Sequence, residues 1–285
     1  MFQAIDTLSA RGVKFFTIND KHYLAVAIMQ NEATYRVNSV IYQWNGRKFV
    51  VFQNVSTKGA TRFSFFKIGK ESFLTVTNWV GDVTNRINSV IYKWKNGKFD
   101  RFREVRTFGG YGSAAFEINN ETFIAFANEK NSTSTLYKWS EDLNLVRLQS
   151  IRTYGARDVI SFKLNGHTFL AFANRADGQK PNIYKWNGCH FVASQSIFTH
   201  FAITWHPFSM CGQTFLGVCE NRFKSVIYQA LGSKFVEYRE VSTKGCHGMT
   251  SFVHGGHTYL AVANHARGAD KGYQYNLNST VYKWT

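Results

Sequence analysis

The chain has 285 residues, 44% hydrophobic and 18% charged, and its 26 Phe and 14 Tyr against 2 Pro favour packed strands over disorder. No apolar stretch approaches the roughly 20 residues of a membrane-spanning helix, and residues 1–6 lack the basic and apolar regions of a signal peptide. The net charge of +16 suits polyanionic partners, while its even spread along the chain excludes a basic tail.

In chain order, the first segment, FQAIDT at 2–7, reads as a strand with no neighbour close by. A unit of four short strands then begins. Strand A lies between Thr7 and Phe16, strand B is LAVAI at 24–28, strand C is SVIYQW at 39–44, and strand D is FQNVST at 52–57. The second unit has Thr57 and Phe66 at the same spacing, then LTVTN at 74–78 and SVIYKW at 89–94. The third has Thr107 and Phe116, IAFAN at 124–128 and STLYKW at 134–139. The fourth has Thr153 and Phe162, LAFAN at 170–174 and NIYKW at 182–186. The fifth has Thr199 and Phe208, LGVCE at 216–220 and SVIYQA at 225–230. The sixth has Thr243 and Phe252, LAVAN at 260–264 and STVYKW at 279–284.

The tyrosine of strand C recurs at intervals of 50, 45, 47, 44 and 54 residues. Three elements keeping time together define a repeat. Asn165-Gly166 and Gly255-Gly256 join strands A and B, and Asn96-Gly97 and Asn187-Gly188 join strands C and D. Such pairs make tight hairpins, so the strands are antiparallel and a parallel solenoid is excluded. Four-stranded units at this spacing are propeller blades. The prediction is an all-β, six-bladed β-propeller of four-stranded antiparallel blades, one domain over residues 1–285. The last unit ends after strand C, and FQAIDT matches FQNVST position by position. The N-terminal strand should therefore complete the C-terminal blade and close the ring, leaving no sheet edge open.

Thr153-Tyr154-Gly155-Ala156 and the run NSVIYKW at 88–94 resemble the epitempin-associated repeat, also called EAR or EPTP. The resemblance covers essentially the whole chain. That family includes the leucine-rich glioma-inactivated proteins and thrombospondin-type proteins with EAR repeats. It implies a secreted β-propeller that binds partners and catalyses nothing. The best-known members have seven blades and this chain six units, so their binding positions do not transfer residue by residue.

The chain contains no G-x-S-x-G and no H-E-x-x-H. His22, His167 and His257 share one slot of the repeat, at the turn before strand B, and read as structural. His200, His206 and Cys211 are close in sequence, but strand alternation separates them. Asp158 is the only carboxylate between the Thr and the Phe of any unit, which leaves a central cation site without ligands. No catalytic residue, metal or cofactor is expected.

The loops entering strands A and C share one face of a propeller. The B–C loops range from NRFK at 221–224 to the long segment 265–276, and such variation marks a binding face. Candidate ligand residues there are Arg36, Arg86, Trp79, Tyr111, Tyr154, Arg157, Arg222 and Arg267. Aromatic faces stack on sugar rings, and guanidinium forks match sulfate and carboxylate. A solvated basic rim over packed aromatics is the competing account.

The leading expectation is a multivalent, lectin-like module for anionic or complex sugars, including glycosaminoglycan-like polyanions. The alternative is a propeller that docks a receptor ectodomain. A lectin should reuse residues across blades, whereas a protein-docking face is one asymmetric patch. Nucleic acid ranks below both, since no recognised module is present. Sequons at Asn54, Asn120, Asn131 and Asn278 fit an extracellular setting. If the four cysteines pair, each bond should stay on one face, joining Cys189 to Cys211 and Cys219 to Cys246.

Overall fold

The computed structural model describes all residues except 1, 82–85, 141, 143, 181, 223, 266, 270–271, 275–277 and 285, and omits the side chains of 179, 267–269 and 272–274. Every regular element among the described residues is a β-strand, and the protein is a six-bladed β-propeller of four-stranded antiparallel blades. Blade one comprises Ala10–Ile18, Lys21–Ile28, Arg36–Trp44 and Phe49–Lys58. Blade two is Ala60–Ile68, Glu71–Asn78, Ser89–Lys95 and Lys98–Val105, and blade three is Gly110–Ile118, Glu121–Asn128, Thr133–Trp139 and Leu145–Arg152. Blade four is Ala156–Leu164, His167–Asn174, Ile183–Trp186 and Phe191–Gln195, and blade five is Ala202–Met210, Gln213–Glu220, Ser225–Leu231 and Lys234–Val241. Blade six shows three strands among the described residues, Cys246–His254, His257–Asn264 and Thr280–Trp284. The chain divides into two compact units, Met1–Ser150 and Ile151–Thr285, and the repeat continues through the division.

Turn chemistry explains the register. Asn119-Asn120, Asn165-Gly166 and Gly255-Gly256, which join strands A and B, have positive φ at both residues. That is the requirement of the tightest hairpins, and Asn and Gly meet it at least cost. Strand B is enclosed on both sides, with Phe123, Ile124, Ala125, Phe126 and Ala127 all buried. Its small residues let the neighbouring blade approach. In blade five the place is taken by Gly217, where a Cβ would lie 2.5 Å from Met249 Sδ of blade six. Blade two has threonines instead, and their buried hydroxyls are satisfied: Thr75 Oγ1 lies 3.0 Å from Ser113 Oγ, and Thr77 donates to Tyr111 O at 2.9 Å.

The heptapeptide of strand C repeats because its tryptophan receives the strand D aromatic of the preceding blade. Phe52 stacks on Trp94 at 5.8 Å, Phe102 on Trp139 at 6.2 Å and Tyr238 on Trp284 at 6.1 Å between ring centroids. A strand D glutamine clamps the next blade's main chain. Gln53 donates to Phe99 O at 2.7 Å and accepts from Phe99 N at 3.0 Å, and Gln195 does the same with Phe235. Residues 2–7 form no regular strand. Yet Phe2 lies 5.8 Å from Trp44, and Gln3 donates to Phe49 O at 2.8 Å and accepts from Phe49 N at 2.9 Å. The N-terminal segment thus holds blade one as a strand D would.

Cys219, ending strand B of blade five, is bonded to Cys246, opening strand A of blade six, with Cα atoms 5.2 Å apart. The second expected pair does not form. Cys189 and Cys211 are exposed free thiols, each fixed at a hairpin tip by its own turn. Asn187 Oδ1 accepts the N–H groups of Cys189 and His190, and Cys211 itself has a φ of 49°. No helix among the described residues is long and apolar enough to cross a membrane.

Candidate functional site

The loop face is built on one main-chain device present in all six blades. The residue two before the start of each strand A bulge has positive φ: Ser9, Gly59, Gly109, Gly155, Phe201 and Gly245. Its carbonyl accepts the N–H of the residue that follows strand B, from Met29, Trp79, Glu129, Arg175, Asn221 and His265 respectively, at 2.9–3.3 Å. Pairing then skips one residue of strand A, namely Arg11, Thr61, Tyr111, Arg157, Ile203 or His247. A bulge of this kind re-aims a side chain. Each blade therefore offers two adjacent side-chain positions on fixed backbone, and the six pairs differ chemically.

In the first unit these positions bring together Trp79, Tyr111 and Glu129. The Trp79 indole N–H donates to Glu129 Oε2, Tyr111 sits edge-on at 6.3 Å, and Lys130 Nζ lies 4.8 Å over the indole ring. Glu129 is buried, and Lys130 Nζ is 3.9 Å from its carboxylate. The cluster's charges are internally matched.

In the second unit three arginines surround one ring. The guanidinium carbons of Arg157, Arg175 and Arg222 lie 4.5, 5.3 and 4.9 Å from the centroid of Phe201. Each such contact contributes about 0.5–2 kcal/mol, more where water is excluded. Asp177 Oδ2 is 3.5 Å from Arg222 Nη1, and both side chains are about half exposed. Phe201 occupies the left-handed position with φ of 57°. For a bulky residue this costs roughly 1–2 kcal/mol, where Gly59, Gly109, Gly155 and Gly245 incur none. Strain retained at such a position points to use. Nearby, Arg152 and Lys180 approach the Tyr154 ring at 5.8 and 5.4 Å.

A second departure lies under Phe201. In blades two, three, four and six the last residue of strand B is Asn, whose Oδ1 accepts the N–H of Lys58, Phe108, Tyr154 or Lys244. Blade five has Glu220, whose Oε2 accepts from His200 N at 2.7 Å. Burial pushes its carboxyl up to about 8, opposed by the His200 N–H and assisted by Asp177. At neutral pH Glu220 is a neutral acid and leaves the arginine charge in place. Asp158 is also buried, and it accepts from Thr204 Oγ1.

Of the residues singled out in the sequence, Trp79 meets Tyr111 in the first unit, and Arg157 meets Arg222 in the second. Tyr154 forms its own cation-bearing group. Arg36 and Arg86 are exposed on blades one and two. Arg267 lies in a short ribbon, Arg267–Ala269 paired with Gly272–Gln274, and its side chain is outside the described residues, as is all of Phe223. Phe201 and Glu220 were not singled out, although comparing the six units at their positions exposes both. Among the described residues no three His, Cys, Asp or Glu side chains gather as a metal site.

The blades thus carry unlike side chains on a common loop-face frame. The EPTP domain family model matches residues 1–45, 48–95, 98–140, 144–187 and 234–285, and the chain belongs to that family. Four of the five matched stretches begin at or within one residue of a strand D, and the first begins at residue 1. The unmatched stretch, 188–233, contains Phe201, Glu220 and Arg222. No curated protein sequence matches the chain. Solved structures similar to it include a putative 6-phosphogluconolactonase from Bacteroides uniformis ATCC 8492, with TM-score 0.71, 10% identity and coverage of 99% of this chain and 90% of that one. A protein from Lactobacillus plantarum aligns with TM-score 0.62 at 13% identity over 97% and 86% of the two chains. SapL1 lectin in complex with alpha methyl fucoside aligns with TM-score 0.58 at 10% identity over 95% and 96%. At such identities the likeness is one of fold.

Proposed function

We propose that this protein is a non-catalytic glycan-binding propeller, and that an acidic sugar group seats among Arg157, Arg175 and Arg222. The observation that carries the reading is the convergence of three guanidinium groups on Phe201, a ring held in left-handed backbone where four of the other blades have glycine and one has serine. Guanidinium forks bind carboxylate and sulfate through paired charged hydrogen bonds. The lectin among the structural relatives supports a sugar as the ligand class. The six blade positions do not repeat their chemistry, so the reading is one anionic subsite and not six equal ones. That same asymmetry favours a second reading, the docking of an acidic patch on a receptor ectodomain. The Cys219–Cys246 bond supports an extracellular setting, because disulfides persist in oxidising surroundings.

The test is an array of sulfated, carboxylated and neutral glycans probed at low and high salt with the native protein and the Arg157→Ala/Arg222→Ala variant. Binding confined to acidic glycans, weakened by salt and lost in the variant, supports the proposal. Binding to neutral glycans that ignores both salt and variant defeats it. Silence on the array together with capture of an acidic ectodomain moves the assignment to the second reading.

A further inference from the structure

A second ring carries cations on the same face, and the backbone ties it to the Phe201 cluster. Arg152 and Lys180 approach Tyr154 at 5.8 and 5.4 Å, and neither pairs with a carboxylate among the described residues. Tyr154 O accepts from Ala176 N at 3.1 Å, and Gly155 O accepts from Arg175 N at 3.0 Å. The Tyr154 turn and the loop carrying Arg175, Asp177 and Lys180 therefore share one frame.

That loop is in turn pinned to the entry of blade five. Gly178 and Gln179 pair with Thr199 and Phe198 as a two-stranded ribbon. Next to it, Asn182 donates to Ile197 O at 2.7 Å and accepts from Ile197 N at 3.1 Å. Lys180 directly follows one strand of the ribbon, and Phe201 stands two residues beyond the other. Among the described residues no other B–C loop pairs as a ribbon with the segment entering the next blade. Cations on a fixed frame bind without first ordering it, and two subsites on one frame reinforce each other when a single ligand reaches both.

The charge on this frame is almost all of one sign. Arg152, Arg157, Arg175, Lys180 and Arg222 stand against Asp177, while burial keeps Glu220 protonated at neutral pH. Arg152, Arg175, Lys180 and Arg222 are exposed, so a ligand can reach them. Phe198, on the ribbon, is 52% exposed and offers an apolar ring to a sugar face. A single acidic group would engage the cations of one ring and leave those of the other unmatched.

We propose that the ligand is an acidic oligosaccharide with anionic groups on at least two residues of one chain. One group seats among Arg157, Arg175 and Arg222, and another is held by Arg152 and Lys180. The inference rests on the glycan reading given above and adds to it the chain and its second anion.

The probes are a monosulfated monosaccharide and a tetrasaccharide with one sulfate on each residue, titrated at physiological salt. NMR follows the first and calorimetry the second. The tetrasaccharide should bind the native protein at least tenfold more tightly. Arg152→Gln/Lys180→Gln should lower its affinity about tenfold or more, the scale of one charged hydrogen bond, and make its salt dependence shallower. The same variant should weaken the monosaccharide less than about threefold. Lys180→Glu, a single change outside any strand, should also weaken the tetrasaccharide and serves as the second variant if the double one folds poorly. Arg157→Ala/Arg222→Ala should weaken both sugars. A tetrasaccharide bound no more tightly than the monosaccharide, or one indifferent to Arg152→Gln/Lys180→Gln and Lys180→Glu, overturns the second subsite and leaves the Phe201 reading standing. Failure of both sugars to bind the native protein overturns both.

Discussion

The two loop-face clusters share a backbone and differ in electrostatics. Around Trp79 the cation and the carboxylate come from adjacent residues, Glu129 and Lys130, and close on each other over an indole. Around Phe201 three cations share one ring, and the nearby Glu220 is protonated at neutral pH. The same hydrogen bond, from Trp79 to Gly59 O in one and from Asn221 to Phe201 O in the other, supports both arrangements. Scaffold geometry therefore does not decide which part of the face is cationic. Side-chain chemistry does: blade five places a buried carboxyl raised to about 8 where four other blades have Asn, and the partner of Arg222 is the half-exposed Asp177.

The largest expected effect removes the frame on which the comparison rests. The closure predicted from the sequence makes residues 2–7 the missing strand D of the sixth blade. Their deletion strips Phe2 from Trp44 and Gln3 from Phe49. Calorimetry should show a melting temperature lower by roughly 5–15 °C, or aggregation through an open edge. A deletion that melts unchanged would show that the segment is dispensable.

The next effect separates the clusters. Arg157→Ala combined with Arg222→Ala should lower affinity for a sulfated glycan about a hundredfold or more, since each charged hydrogen bond contributes about 1.5–3 kcal/mol. Trp79→Phe combined with Lys130→Ala should change it less than about twofold by the same titration. Equal losses from both variants would dissolve the distinction between the two regions.

Glu220 sharpens it through pH. Its folded pKa of about 8 lies above the ordinary 4.5, so between those values the folded protein holds a proton that the unfolded chain has released. Stability from this group thus falls as pH rises from about 4.5 to about 8 and stays low beyond. Glu220→Gln, which keeps an acceptor for His200 N, should stabilise by up to a few kcal/mol at pH 9 and by almost nothing at pH 4. Denaturant unfolding across that range checks it, and a gain independent of pH would contradict the buried neutral acid.

The smallest expected effect is Phe201→Gly. Relief of the left-handed strain offsets the lost ring contacts, so unfolding free energy should move by no more than about 1–2 kcal/mol. Anion affinity should still fall, because the platform that orders the arginines is gone.

The fold was legible because its determinants are periodic and local. Strand C and the alternation within each strand are written six times and Asn-Gly turns four times, and a misreading in one unit is corrected by the others. The candidate site was only half legible. Arg157 and Arg222 stood out as basic loop residues, but 65 positions separate them and only packing shows that they share a ring. Phe201 is not legible as a site residue because it stands in a segment of constant length, at a position where four other units have glycine. The Cys189–Cys211 expectation failed because sharing a face fixes neither reach nor direction for side chains at hairpin tips.

The carbonyl at the left-handed position of each blade accepts its hydrogen bond from a main-chain N–H, whatever side chain that residue carries. Met, Trp, Glu, Arg, Asn and His all occupy the donor position here, and the bond length changes little among them. Selection can therefore rewrite one blade's contribution to the face without retuning the other five. Each cluster draws on two neighbouring repeats, so a new specificity asks for changes at the paired positions of adjacent blades and leaves the shared main-chain bond untouched.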